Sequence, residues 1–213
     1  MKGLLIKDIL IMRNQRSSAL LILLMGIMMS VYMQSSAVIG YLMMMGGMLS
    51  LSTMSYDEHE NGFRYLFSLP VTRKEYVKEK YLFCIAWVIL CMICGSLACY
   101  VIMAFRKQID MTELFGTCVT MFCTIVVFLA ISIYARIRYG NEKSRIIIYI
   151  FFGGIGLIGF VLSKLVSPEN VMAIEQFVST NGTALMVVLP IVSLIVYLIS
   201  YLISVGCMEK KEF

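Results

Sequence analysis

Charged residues are sparse along this chain, and the runs between them set its architecture. From Ser17 to Tyr56 no Asp, Glu, Lys, Arg or His occurs over 40 residues, about 60 Å of helix at ~1.5 Å per residue. A hydrocarbon core of ~30 Å takes ~20 apolar residues per helix. The run therefore holds two spans, with Gln34-Ser35-Ser36 as the polar turn between them. Further charge-free runs are Tyr81–Phe105, Leu114–Ala135, Ile146–Ser163 and Gln176–Met208, the membrane part of the last beginning near Thr183. Continuous apolar runs mean helices, because a membrane barrel alternates apolar and polar positions. The pattern predicts an all-α membrane protein of six transmembrane helices at 17–33, 37–56, 81–105, 114–135, 146–164 and 183–206, forming one transmembrane domain over 1–213.

Three segments outside these spans carry patterns of their own. In Met1–Arg16, Leu5, Ile9 and Met12 fall at helical spacing with Lys7, Arg13 and Arg16 as cations. This predicts an amphipathic interfacial helix lying on the lipid surface before the first span. Ser167-Pro168-Glu169 starts a second short helix, whose apolar face is Val171, Ile174 and Phe177. The longest polar-flanked loop, Asp57–Lys80, is the most informative. Gly62 through Pro70 places Phe63, Tyr65, Leu66, Phe67 and Leu69 in a segment facing water. Such a cluster is a docking surface, a patch packed against the protein's own helices, or a set of rings lying in the lipid interface. Behind it, Thr72 and Glu75 form a capping box, with Val71 and Tyr76 as the hydrophobic staple. The helix they start runs through Lys80 into the third span.

Composition agrees with the spans. The chain is 60% apolar and 15% charged, against about 45–50% and about 25% in soluble domains. The net charge of +5 matters less than its placement. Fifteen of the 18 Lys and Arg residues fall in one set of loops and three in the other. By the positive-inside rule both termini face the cytoplasm. Ser35-Ser36-Ala37 follows a basic stretch and an apolar run, the order of a cleaved leader. Sixteen residues precede that run, which is long for a leader, and cleavage would leave an odd number of spans, so the first span is read as retained.

Catalytic chemistry finds little to work with. No span interior holds Asp, Glu, Lys, Arg or His, which argues against an ion-driven carrier. All seven cysteines lie in the charge-free runs; Cys91 and Cys94 have CxxC spacing, but mid-helix and without a second pair, so they read as small buried hydrophobes. His59 stands among Asp57, Glu58 and Glu60 as a solvated loop residue, too few ligands for a catalytic metal. No catalytic or metal-binding residue is assigned. The phosphate-loop pattern GxxxxGK[ST] is absent from the sequence. Nothing points to nucleic acid. The methionines at 28, 29, 33, 43, 44, 45 and 48 read as core fillers or as a soft, adaptable lining, and Gly153, Gly156 and Gly159 permit close helix approach.

The loop Glu60-Asn61-Gly62-Phe63-Arg64-Tyr65-Leu66-Phe67-Ser68-Leu69-Pro70-Val71-Thr72-Arg73-Lys74 resembles that of the permeases of type-2 ABC exporters, in particular their small six-helix bacterial members. The likeness extends from the N-terminal interfacial helix to the last span. It implies a cytoplasmic coupling helix between helices 2 and 3, seated in a groove of a separate ABC ATPase. The coupling residues would be Gly62, Phe63, Arg64, Tyr65, Leu66, Phe67, Pro70, Thr72, Arg73 and Lys74. ATP and Mg2+ would sit on that ATPase, present in two copies, and none on this chain. A second permease copy or a paralogue would complete the membrane part. The resemblance also puts Met43, Met44, Phe152 and Gly156 near the pathway. It implies a multi-pass protein of a bacterial cell membrane that exports hydrophobic or amphipathic substrates, peptides first and drugs or lipids next. The alternative is a non-transporting scaffold or sensor with a permease-like fold, which gene neighbourhood would separate.

Overall fold

The computed structural model describes residues 2–32, 36–58, 63, 71–106, 111–165 and 182–210. Among these residues there is no strand, and the helices are α1 (Lys2–Asn14), α2 (Arg16–Tyr32), α3 (Ser36–Glu58), α4 (Arg73–Arg106), α5 (Met111–Tyr139), α6 (Asn141–Leu165) and α7 (Gly182–Glu209). Each predicted span falls on one of α2 to α7. Four stretches are long and apolar enough to cross a membrane: Val38–Glu58, Arg73–Val101, Leu114–Tyr139 and Ala184–Glu209. Arg16–Gly26 is a shorter apolar helix. The expected helix after Ser167 lies outside the described residues.

Helix α4 begins where the capping box places it. The Glu75 carboxylate accepts from the Thr72 backbone N–H at 3.1 Å and from its hydroxyl at 3.0 Å, while the Glu75 N–H donates to Thr72 Oγ1 at 3.2 Å. Two otherwise orphaned donors are thereby satisfied. Val71 packs against the core and Tyr76 is fully buried, as the staple requires. The 34 residues of α4 extend about 51 Å, well beyond the ~30 Å of a hydrocarbon core. Its surplus is the charged stretch Arg73–Lys80, which projects past the apolar part beginning at Tyr81.

The packed centre lies between α3, α4 and α5. Ile39, Met43 and Leu51, Val77, Cys84 and Val88, and Val126, Leu129 and Ile133 are all essentially sealed from solvent. Gly46 lets α3 and α4 approach closely, since a Cβ there would run into Cys91 Sγ. Helix α7 packs on α5 and α4 through hydroxyls: Tyr197 donates to the Tyr81 carbonyl at 2.8 Å and Ser200 to the Ala130 carbonyl at 2.7 Å. The outer faces of α2 and α7 expose Leu20, Leu21, Leu198 and Leu202. A continuous apolar surface of this kind is stable only in lipid.

The N-terminal helix forms, with Leu4, Asp8 and Met12 as a buried inward stripe; of the three apolar positions expected on its lipid face, Met12 lies inside instead. Ile9 points outward with Ile6 and Leu10, so α1 has an outer apolar face for lipid and an inner one for protein. Helix α6 begins at Asn141, five residues ahead of the charge-free run that opens at Ile146. Helix α5 ends at Gly140, whose φ of 81° is the left-handed termination that glycine adopts without a Cβ penalty. Its N–H bonds the Arg136 carbonyl at 2.9 Å, and α6 starts at the next residue.

Candidate functional site

Helix α3 ends on two adjacent carboxylates, Asp57 and Glu58, immediately before the loop that resembles a coupling segment. The end of α3 and the start of α4 flank this loop in the chain. How these two side chains are held decides how the loop connects to the rest of the molecule.

Asp57 is tied to α1 and α4. Lys7 of α1 pairs with Asp57 Oδ1, and Lys80 of α4 lies 2.7 Å from Oδ2. The Tyr76 hydroxyl donates to the same oxygen at 3.2 Å. Lys80 reaches on to Asp8 Oδ2 at 2.5 Å and donates to Thr53 Oγ1 at 3.2 Å. Lys80 and Asp8 are completely buried and Asp57 nearly so. Removing one member of such a pair strands the other charge, at a cost of about 3–5 kcal/mol. The cluster thus fixes α1, α3 and α4 in one register.

Glu58 is tied to α6. Its Oε2 accepts the Asn141 backbone N–H at 2.6 Å, a carboxylate at a helix N-terminus. Ser55, one turn earlier, donates to Asn141 Oδ1 at 3.0 Å. Arg136 of α5 donates to the Leu51 carbonyl at 2.8 Å and to Ser55 Oγ at 2.9 Å. Neighbouring residues at the root of the loop therefore grip opposite sides of the bundle, Asp57 the α1–α4 side and Glu58 the α5–α6 side.

The residues expected to contact an ATPase divide between described and undescribed positions. Gly62, Arg64, Tyr65, Leu66, Phe67 and Pro70 lie outside the described residues, as does His59. Phe63 is half-buried and turned into the protein, its ring edge-on to Tyr76 with centroids 5.7 Å apart. Thr72 is exposed and occupied in capping α4. Arg73 donates to the Glu209 carbonyl at 2.8 Å, and Lys74 lies 3.1 Å from the Glu209 carboxylate. Both cations thus complete the C-terminus of α7, where positive charge is favourable.

The expected pathway residues do not converge within this chain. Met43 is sealed in the core, whereas Met44 and Phe152 are exposed. Phe152 rests against Phe128 at 5.3 Å, and Gly156 has open space where a side chain would be. An apolar cleft of about 250 Å³ instead opens between α2 and α4 over Gly46, lined by Ile22, Leu42, Trp87 and Cys91. Sequence reading missed Asp8, Lys80, Gly140 and the roles of Asp57 and Glu58. A signal existed for Asp8, the sole acid in a cationic helix, spaced four residues from both Leu4 and Met12.

Among the described residues no cluster of His, Cys, Asp or Glu fits a metal ion. Neither a curated protein nor a solved structure matches the chain. The family described as ABC-2 family transporter protein matches over residues 3–209, nearly the whole length. The chain therefore belongs to the ABC-2 transporter family, as a multi-pass membrane permease subunit of an ABC transporter that works with an ABC ATPase subunit.

Proposed function

We propose that this permease is the membrane half of an exporter in which the loop at 59–72 receives the stroke of the ATPase. In this reading α2 to α7 are six spans, α1 lies at the cytoplasmic interface, and both termini are cytoplasmic. Two permease copies, or this chain and a paralogue, join two ATPase subunits that carry ATP and Mg2+. The observation that carries the reading is the double anchorage of Asp57 and Glu58 at the root of the loop. A push on that root reaches α1 and α4 through one residue and α5 and α6 through the next. Helix α4 then carries the tilt across the bilayer as a single continuous rod.

The inward turn of Phe63 refines the interface. Phe63 anchors the loop on Tyr76, leaving Arg64, Tyr65, Leu66 and Phe67 to fill the groove of the ATPase. The Tyr65→Ala variant is expected to weaken recovery of the ATPase with the permease by about tenfold or more, the value of one buried aromatic anchor. It should leave the heat stability of the permease itself unchanged. Normal co-purification of Tyr65→Ala with full cargo-stimulated ATP hydrolysis would sink the assignment of the loop.

The cargo is hydrophobic or amphipathic, with peptides first, then drugs or lipids. The apolar cleft between α2 and α4 and the exposed methionines of α3 support this chemistry. Vesicle transport assays with amphipathic peptides and excess ATP test it. Accumulation of a polar solute, with no movement of such peptides, would overturn the cargo class.

A further inference from the structure

Glu79 takes no part in the ion pairs described above, although it is fully buried beside them. Neither of its carboxyl oxygens meets a donor among the described residues. The group it adjoins is Asp8 of α1, within hydrogen-bonding reach. Asp8 is itself half-satisfied. Its Oδ2 is held by Lys80, but Oδ1 has no hydrogen bond and only a long ion pair with Lys7 at 3.4 Å. Two buried carboxyls therefore face each other across the α1–α4 contact.

Charge balance says how this is tolerated. Glu79 meets Lys7 and Asp8 from α1 and Lys80 from its own helix, and Asp57 of α3 faces the same Lys80, with the Tyr76 hydroxyl and Cys84 thiol close by. On the far side of α4, α7 presents the hydroxyls of Ser200 and Ser204. Arg136 of α5 is engaged with Leu51 and Ser55 of α3. Two lysines already balance the two aspartates. An ionised Glu79 would be a fifth charge, buried, uncompensated and facing a like charge, which folded proteins avoid by protonation.

We infer that Glu79 is a positioning residue that holds a proton and donates it in a hydrogen bond to Asp8 Oδ1, latching the N-terminal helix onto the shaft of α4. The single proton satisfies two otherwise orphaned groups. When it leaves, two carboxylates oppose each other and α1 is pushed from its seat. A carboxyl that binds its proton more tightly docked than undocked stabilises docking at low pH, and that contribution falls as pH rises. The N-terminal helix is thus a pH-sensitive element set against the shaft that continues from the loop.

The test uses the full chain in lipid nanodiscs. Hydrogen exchange of residues 2–14, corrected for intrinsic rates, is followed from mildly acidic to alkaline pH. With one linked proton, the opening constant of α1 should rise about tenfold per pH unit within the titration window. Glu79→Gln keeps a donor toward Asp8 and cannot ionise, so its protection should not change with pH. A wild-type curve that is flat, or a Glu79→Gln curve of equal slope, overturns the latch. If Glu79→Gln does not assemble, infrared titration of the wild type decides: a protonated-carboxyl band must persist above the ordinary carboxylate range and vanish as pH rises. Asp8→Asn should move that band's midpoint to lower pH. Absence of the band, or an unmoved midpoint in Asp8→Asn, equally rejects the proposal.

Discussion

The Lys80→Met variant is expected to lose about 3–5 kcal/mol of stability, because it leaves Asp8 and Asp57 buried with Lys7 as their remaining cation. Methionine fills nearly the same volume, so the loss reports charge rather than a cavity. Lys80 is completely buried and contacts three side chains on two other helices. The double variant Asp8→Asn with Lys80→Met removes charge on both sides and should be markedly more stable than the sum of the two single variants. A thermal unfolding series in nanodiscs gives the coupling energy directly. Strict additivity of the two substitutions would mean that the short contacts do not constitute a working pair. Because the same lysine spans α1, α3 and α4, the single variant should also sever cargo-stimulated ATP hydrolysis from transport at temperatures where it remains folded.

Much of this architecture was legible from sequence, for a reason specific to membranes. Backbone groups in lipid must be satisfied within the segment, so a long charge-free run favours a helix, and the described helices fall on all five runs, with four stretches long and apolar enough to cross a membrane. The start of α4 was legible because a capping box is purely local: Thr72 and Glu75 are three residues apart and need no tertiary information. Local reading failed where an apolar face can serve two solvents. On α1, Leu5 and Ile9 follow the same period as Leu4 and Met12. Periodicity alone does not tell a lipid-facing stripe from a protein-facing one. Only the placement of Asp8 breaks the tie, since a buried charge needs a partner and a lipid-facing one has none.

The ionic cluster itself was not legible. Lys7 and Asp57 are 50 residues apart, and Asp8 and Lys80 are 72 apart. Each looked like an ordinary flanking charge at the end of a hydrophobic run. The same applies to Arg73 and Lys74, which the resemblance placed in the coupling segment and which also close the end of α7, 135 residues along the chain. Charged loops beside a membrane thus have two uses that composition does not separate. Some charges fix orientation in the bilayer, and others hold the helix ends together.

Gly140 offers the sharpest test of whether the second anchorage matters. A Cβ there would sit 2.6 Å from Glu58 Oε1, on a backbone with φ of 81°. Gly140→Ala therefore incurs two penalties: the left-handed conformation, at about 1–2 kcal/mol, and displacement of the carboxylate that caps α6. The expected total is about 2–4 kcal/mol, the sum of that strain and the loss of an N-terminal cap. The penalties can be separated. Gly140→Asn tolerates the left-handed backbone better but still carries a Cβ, so it should recover only part of the loss. In the reverse experiment, Glu58→Ala gives up the cap and removes the obstruction, and adding Gly140→Ala to it should then cost only the conformational strain. If Gly140→Ala is as harmful with Glu58 absent as with it present, the carboxylate is not seated against that turn. Glu58 would then not connect the root of the loop to α6, and movement there would reach the bundle through Asp57 alone.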